Sequence, residues 1–292
     1  MADHPIPPCP GPDPAPAPPH IAVAPGATDC HAHILGPLHR YGFVADRSYT
    51  PPEALLSDYR RMLAVLGVGR AVLVQPSVYG TDNRAMLAAL AEAGANFRGV
   101  AVVDADVAEA ELAAMHAAGV RGVRVNILFR GGVGLDVLEP LAERIKDLGW
   151  HIQLLIDVSD CADFWRVADR LPVDLVIDHM GHLPAAKGVG DPGFQALLAL
   201  IREGRAWAKL SGPTRLSAED GPPWRDVEPL ARALVAANPD RLVWGTDWPH
   251  VATWGAMPND GALMDVLADW VPDPALRQRI LVDNPARLYG FG

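Results

Sequence analysis

Two histidines two positions apart, His31 and His33 in Asp29-Cys30-His31-Ala32-His33, close an apolar run near the start of the chain. Side chains two positions apart on a strand share a face, so both imidazoles can grip one centre. A third, His179, closes Leu175-Val176-Ile177-Asp178, and Asp247 closes Leu242-Val243-Trp244-Gly245-Thr246. Three imidazoles and a carboxylate from three strand ends suit either a divalent metal or a water that must lose a proton. Both are hydrolytic chemistry. An H-x-H pair alone is equally well read as structural; the convergence of a third histidine and an aspartate argues for a site.

A second group is basic. Arg124 and Asn126 share one strand face, Arg130 follows in a loop, and Arg215 comes after the seventh β-rich run. A buried guanidinium needs an anion, either a structural carboxylate or a substrate's, and its planar fork favours bidentate capture of a substrate carboxylate. Tyr49 and Ser77 can add hydroxyls to that ligand, or else pack and cap a turn. His182 and His250, close behind His179 and Asp247, are candidate contacts to substrate or to the inner ligands. His4, His20, His39, His116 and His151 read as structural. Ser77 follows Gln75-Pro76 with no G-x-S-x-G elbow, which sets serine-hydrolase chemistry aside.

These residues need a scaffold that gathers strand ends. Eight β-rich runs, at 27–33, 70–76, 98–104, 121–127, 151–156, 174–179, 206–211 and 241–247, alternate with helical patterns. The first helix shows the signal plainly: Leu55, Leu56, Tyr59, Met62, Leu63 and Leu66 recur at three and four residues until Gly67 stops them. Further helices are expected near 83–93, 108–118, 137–148, 161–170, 193–203, 226–237, 260–270 and 274–288. Eight βα units predict an α/β fold, a single (β/α)8 barrel of the TIM type, whose chemistry sits at the carboxyl ends of its strands. No dinucleotide glycine fingerprint follows the first strand, which argues against a doubly wound sheet.

Nine of the 28 prolines fall in the first 20 residues, so residues 1–25 are expected to form a flexible, extended arm ahead of a barrel domain at 26–292. Thirty-five acidic against 25 basic residues give a net charge of −10, which argues against nucleic-acid binding. No apolar stretch reaches the roughly 18 residues of a membrane span. Three cysteines without a C-x-x-C pattern exclude a disulfide framework or a cysteine-type zinc site and fit a cytoplasmic location. Oligomeric state is left open.

The motifs D-C-H-A-H at 29–33, Q-P-S-V-Y-G-T-D-N at 75–83, G-V-R-G-V-R-V-N at 119–126, I-D-H-M-G at 177–181, G-P-P-W at 221–224, W-G-T-D-W-P-H at 244–250 and N-P-A-R-L-Y at 284–289 resemble the amidohydrolase superfamily. The likeness is to its branch of lactonases related to 2-pyrone-4,6-dicarboxylate lactonase. This resemblance implies hydrolysis of a carboxylated lactone in aromatic catabolism, with His31, His33 and His179 around the reacting carbonyl and Asp247 as general base. It also implies that Tyr49, Ser77, Arg124, Arg130 and Arg215 hold the substrate's carboxylates. Arg124 and Asn126 stand where binuclear members carry a bridging Lys or Glu, and Leu155-Ile156-Asp157 lacks their histidine. At most one divalent ion, zinc by donor type, is therefore expected on His31, His33, His179 and Asp247. The branch includes both metal-requiring and metal-independent members, so either regime fits. His182 stands where the nearest relatives carry Arg, which bears on the shape of the acid-binding pocket. The rival readings are a zinc-dependent sugar or sulfomuconolactone lactonase, a decarboxylase of the same superfamily, and a barrel that binds carboxylates without catalysis.

Overall fold

The computed structural model describes residues 6–132, 134–160, 165, 168 and 170–292. Eight parallel strands run in sequence order: β1 (Thr28–Ala32), β2 (Arg70–Val74), β3 (Phe97–Ala101), β4 (Val120–Asn126), β5 (His151–Leu155), β6 (Leu175–Ile177), β7 (Ala206–Leu210) and β8 (Leu242–Trp244). Closure comes just past the end of β8, where the Asp247 amide donates to the His31 carbonyl at 2.8 Å and the His33 amide to the Trp248 carbonyl at 2.8 Å. The seam of the barrel is thus the place where both histidines of the H-x-H pair meet Asp247. The expected (β/α)8 barrel is the observed fold.

Helices α1 (Leu56–Leu66), α2 (Arg84–Ala93), α3 (Glu109–Ala117), α4 (Leu138–Ile145), α5 (Pro192–Arg202), α6 (Glu228–Ala237) and α7 (Asp260–Trp270) pack outside the sheet. In α1 the periodic residues Leu56, Tyr59, Met62, Leu63 and Leu66 are the buried ones, and Gly67 ends the helix at φ 74°. The terminal helical pattern is Pro274–Gln278, a π-helical turn at Arg279–Asp283, and Asn284–Tyr289. The helix expected at 161–170 falls largely outside the described residues.

Inside the barrel, Cys30, Val72, Val74, Val100, Val176, Trp207 and Val243 form an apolar floor, sealed from below by Tyr289 and Phe291. Above this floor the inward residues turn polar: Arg124, Gln153, Asp178 and Lys209 are all buried. The β1 register slips between Asp29 and Ala32, where three steps on β1 match two on β2. This bulge places both Cys30 and His31 inside, while Asp29 turns out to Tyr59 of α1 and to Thr246.

The arm expected to be flexible is tied down over its described residues. Cys9 donates its amide to the Thr50 carbonyl at 3.0 Å, Trp254 Nε1 donates to the Pro8 carbonyl at 2.9 Å, and Ala17 and His20 bond to Asn259 and Asp265 beside and within α7. Proline fixes φ and leaves backbone carbonyls unpaired, so an extended Pro-rich segment costs little further entropy on docking and offers acceptors to whatever lies beside it.

Candidate active site at the barrel mouth

Asp247 Oδ1 lies 3.7 Å from His31 Nε2, 3.8 Å from His33 Nε2 and 3.7 Å from His179 Nε2, with all four side chains buried. Its other oxygen, Oδ2, accepts from Arg215 Nε at 2.6 Å and lies 2.6 Å from Nη2, which donates to the Val251 carbonyl. Burial pushes the Asp247 carboxyl up. Arg215 and the histidines around it outweigh that effect and hold it well below the usual carboxylate range. Asp247 is therefore ionised at neutral pH, with one oxygen anchored and one aimed at the centre.

Each imidazole is oriented from behind. His33 Nδ1 lies 2.7 Å from the Val74 carbonyl, which can only accept, so the proton sits on Nδ1 and Nε2 offers its lone pair. His179 Nδ1 lies 2.9 Å from Ser211 Oγ, and His31 Nδ1 lies 3.2 Å from Asp178 Oδ1. Burial lowers the pKa of all three, His33 to about 4 and His31 and His179 well below the ordinary histidine value. All three are neutral at physiological pH. Neutral imidazoles with Nδ1 occupied and Nε2 convergent are the form that ligates a metal.

The donor set fits one such ion. His31 Nε2 and Asp247 Oδ1 have no hydrogen-bond partner although both are buried, and His31, His33 and Asp247 form a compact potential ligand group. Around a tetrahedral zinc with bonds near 2.0–2.1 Å, neighbouring donors would stand roughly 3.3–3.4 Å apart. The three Oδ1–Nε2 distances need only a small contraction to reach that spacing; the compact group is His31, His33 and Asp247, and His179 stands outside it.

Beneath the centre lies a charged layer that the sequence reading did not single out. Lys209 Nζ donates to the Cys30 carbonyl at 2.9 Å and Gln153 Oε1 at 2.8 Å, and lies 3.3 Å from Asp178 Oδ1 and 3.2 Å from His31 Nδ1. Asp178 Oδ2 accepts from Arg124 Nη2 at 3.3 Å and Gln153 Nε2 at 3.0 Å. Burial works against the Asp178 charge, but Lys209, His31 and Arg124 together hold its carboxyl well below the ordinary range. Asp178, which can only accept, and the Lys209 ammonium, which can only donate, both face His31 Nδ1 at 3.2 Å. A lysine inside the apolar Ala206–Leu210 strand was the available signal, since only a buried anion makes such a position tolerable.

The other candidate residues divide. Arg124 is inside, bonded also to the Gln75 carbonyl at 3.3 Å, with its Nε unpartnered. Tyr49 and Ser77 are buried side by side, the Tyr49 hydroxyl pushed up to about 12 by burial. His182 and Arg215 line a cavity of about 350 Å³ with Phe129, Trp224 and Trp254, and His182 Nε2 has no partner. Arg130 is not brought to the centre: its side chain is 60% exposed and lies 3.3 Å from Asp46. His250 turns away, its Nε2 3.0 Å from Asp260 Oδ1 of α7.

Backbone conformation gathers strain in the same place. Among the described residues the non-glycine positions with positive φ are His179, Met180, His182, Trp224, Asp247, His250 and Ala252, all in the loops after β6, β7 and β8. Such conformations persist only where surrounding contacts enforce them, and they cluster at functional sites. Two glycines clear the room. A Cβ on Gly245 would lie 2.7 Å from both Cβ and N of His31, and one on Gly212 would lie 2.7 Å from His179 Nδ1.

A closed parallel barrel with a three-histidine, one-aspartate centre at the carboxyl ends of its strands defines a hydrolase-type barrel enzyme. The chain belongs to the amidohydrolase family, whose model matches residues 28–291. It is 40% identical over 282 residues to a 2-pyrone-4,6-dicarboxylate hydrolase of Comamonas testosteroni, covering 93% of this chain and 92% of the relative. It is 36% identical over 289 residues to a 4-sulfomuconolactone hydrolase of Hydrogenophaga intermedia, covering 97% and 95%. Among solved structures, a probable 2-pyrone-4,6-dicarboxylic acid hydrolase of Acinetobacter baumannii with citric acid bound superposes with a TM-score of 0.80 at 28% identity, covering 91% of this chain and all of that one. Among the described residues no helix is long and apolar enough to cross a membrane.

Proposed function

We propose that this protein opens the lactone ring of 2-pyrone-4,6-dicarboxylate by hydrolysis, giving an open-chain tricarboxylate, with Asp247 as the base that activates water. The observation that carries this reading is the division of labour within Asp247, one oxygen fixed by Arg215 and the other unpartnered among three imidazole Nε2 atoms. A water there gives a proton to Oδ1 and its oxygen adds to the lactone carbonyl. The ring C–O bond breaks, the enolate oxygen takes back the proton held by Asp247, and the new carboxyl group ionises to solvent.

The substrate class follows from charge and from the relatives. A dianionic ring needs fixed cations in a buried site. Arg124 is on hand with an unpartnered Nε, Arg215 with its Nη1, and Tyr49 and Ser77 with hydroxyls. Arg130 would join by leaving Asp46 at the mouth, and His182 lines the cavity that Arg215 also lines; His250 acts on Asp247 from behind, through the turn that joins them. The citric acid held by the Acinetobacter baumannii neighbour is a tricarboxylate, as the ring-opened product is. Free Cys9 and Cys30 suit work in a reducing cytoplasm.

His31, His33, His179 and Asp247 would hold a single divalent ion, zinc by donor type. A bound ion would supply Lewis acidity and a more acidic water. Elemental analysis should find at most one divalent ion per chain; two would contradict this ligand set. The substrate assignment is tested by loss of pyrone absorbance with 2-pyrone-4,6-dicarboxylate, its monocarboxylate analogue and a neutral lactone. Dicarboxylate should be turned over with the highest kcat/KM, and Arg124→Met should reduce that preference by ten-fold or more. Equal losses on charged and neutral lactones would mean that Arg124 serves only Asp178.

A further inference from the structure

The N-terminal arm precedes the residues matched by the family model, yet it is fastened to the loops after β1 and β8, which meet at the seam of the barrel. On one side Pro8 bridges Thr50 in parallel fashion, the Cys9 amide donating to the Thr50 carbonyl at 3.0 Å and the Thr50 amide to the Pro7 carbonyl at 2.8 Å. Thr50 is the neighbour of Tyr49. On the other side Trp254, which lines the cavity above Arg215, donates its indole N–H to the Pro8 carbonyl at 2.9 Å. The Cys9 thiol is buried between these anchors, facing the Ala252 amide and close enough to feel the charge of Arg215.

The rest of the arm is moored further out. Asn259 accepts from the Ala17 amide at 3.0 Å and donates to Asp13 Oδ2 at 2.9 Å, and Asp265 accepts from the His20 amide at 2.7 Å. In the first turn of α7, Gly261 leaves room for the chain: a Cβ there would lie 2.2 Å from the Ala17 carbonyl oxygen. Ala252 holds φ 56°, so the turn carrying it and Trp254 adopts a conformation that packing must enforce, and the arm is the layer packed against it.

We propose that Pro7–Cys9 of the arm form the outer brace of the substrate cavity, fixing Tyr49 and the Val251–Trp254 turn, and that the arm thereby sets substrate affinity without taking part in the chemistry. This rests on the proposed lactone hydrolysis only for its kinetic consequence. The brace acts through Tyr49 and Trp254, so these arm residues are positioning residues. The Pro-rich composition serves that role, because a segment already restricted to extended conformations loses little entropy when it docks.

The test uses the full chain carrying Gly261→Val, which evicts the arm at Ala17, and separately Cys9→Leu, whose bulk the buried Cys9 position cannot hold, expelling Pro8–Cys9 without adding charge beside Arg215. Both variants should show faster proteolytic cleavage within residues 1–25. Both should also show at least ten-fold faster amide hydrogen exchange at 49–50 and 251–254, with exchange in the barrel strands unchanged. With 2-pyrone-4,6-dicarboxylate, KM should rise about ten-fold while kcat stays within about three-fold. An arm that is released while exchange at 49–50 and 251–254 stays slow would overturn the brace. Released segments with unchanged KM would overturn its role in affinity. Wild-type protein inert toward this lactone would refute the substrate reading alone, since the exchange measurement still decides the brace.

Discussion

At the scale of single residues, the proposed chemistry rests on the asymmetry of Asp247. A carboxylate held well below its ordinary pKa is a weak base in isolation, but Arg215 and the histidines that depress it are the same groups that keep it charged and aimed. Proton transfer then depends on placing water against an oxygen that has no other partner. Asp247→Asn keeps an acceptor for Arg215 but cannot take a proton. It should bind 2-pyrone-4,6-dicarboxylate within a few-fold of wild type by calorimetry while kcat falls by about 10²–10⁴-fold. Near-parental turnover would remove Asp247 from the base role. The convergence of His31, His33, His179 and Asp247 was legible in the sequence, because strand-end position and residue type coincide. Lys209 and Asp178 were not, because their meaning is mutual: each is explicable only once the other is known to lie 3.3 Å away.

At the scale of elements, hydrophobic periodicity located the strands and the described helices because burial on the sheet faces and helix stripes leaves a regular trace. Two features escaped it. Strict alternation pairs His31 with His33 but sends Cys30 to the opposite face. The bulge between Asp29 and Ala32 instead brings Cys30 inside as well, and no residue type announces a bulge there. The left-handed residues after β6 and β8 were equally silent, since His179, Asp247 and His250 are held at positive φ by tertiary contacts rather than by local preference. Glycine did carry a readable trace at Gly245, where only a missing side chain lets the β8 turn pass the His31 backbone. Gly245→Ala should therefore displace His31, with a stability loss of about 1–3 kcal/mol in denaturant unfolding and a larger proportional loss of activity. A variant of wild-type stability and rate would mean that the β1–β8 seam has slack that the packing does not show.

At the scale of the whole molecule, the barrel buries neutral histidines, and this couples stability to pH. His33 titrates near 4 and His151 near 3 when folded, against about 6.5 unfolded. As pH falls below 6.5 the unfolded chain takes up protons that the folded chain refuses. The stability these groups contribute is present above pH 6.5 and lost on the way down, His33 alone accounting for roughly 3 kcal/mol by pH 4. Asp29, raised to about 6 by burial, acts in the opposite sense between pH 6 and 4 but is a single group. The thermal midpoint should be several degrees lower at pH 5 than at pH 7; a higher midpoint at pH 5 would contradict the neutral imidazole cluster. The central claim, that this barrel adds water across a lactone, is met most directly by single-turnover reaction with 2-pyrone-4,6-dicarboxylate in ¹⁸O-labelled water, read by mass spectrometry. The expected product is an open-chain tricarboxylate carrying one ¹⁸O in its new carboxylate and all of its carbon. Release of carbon dioxide, or an open product without the label, would contradict it.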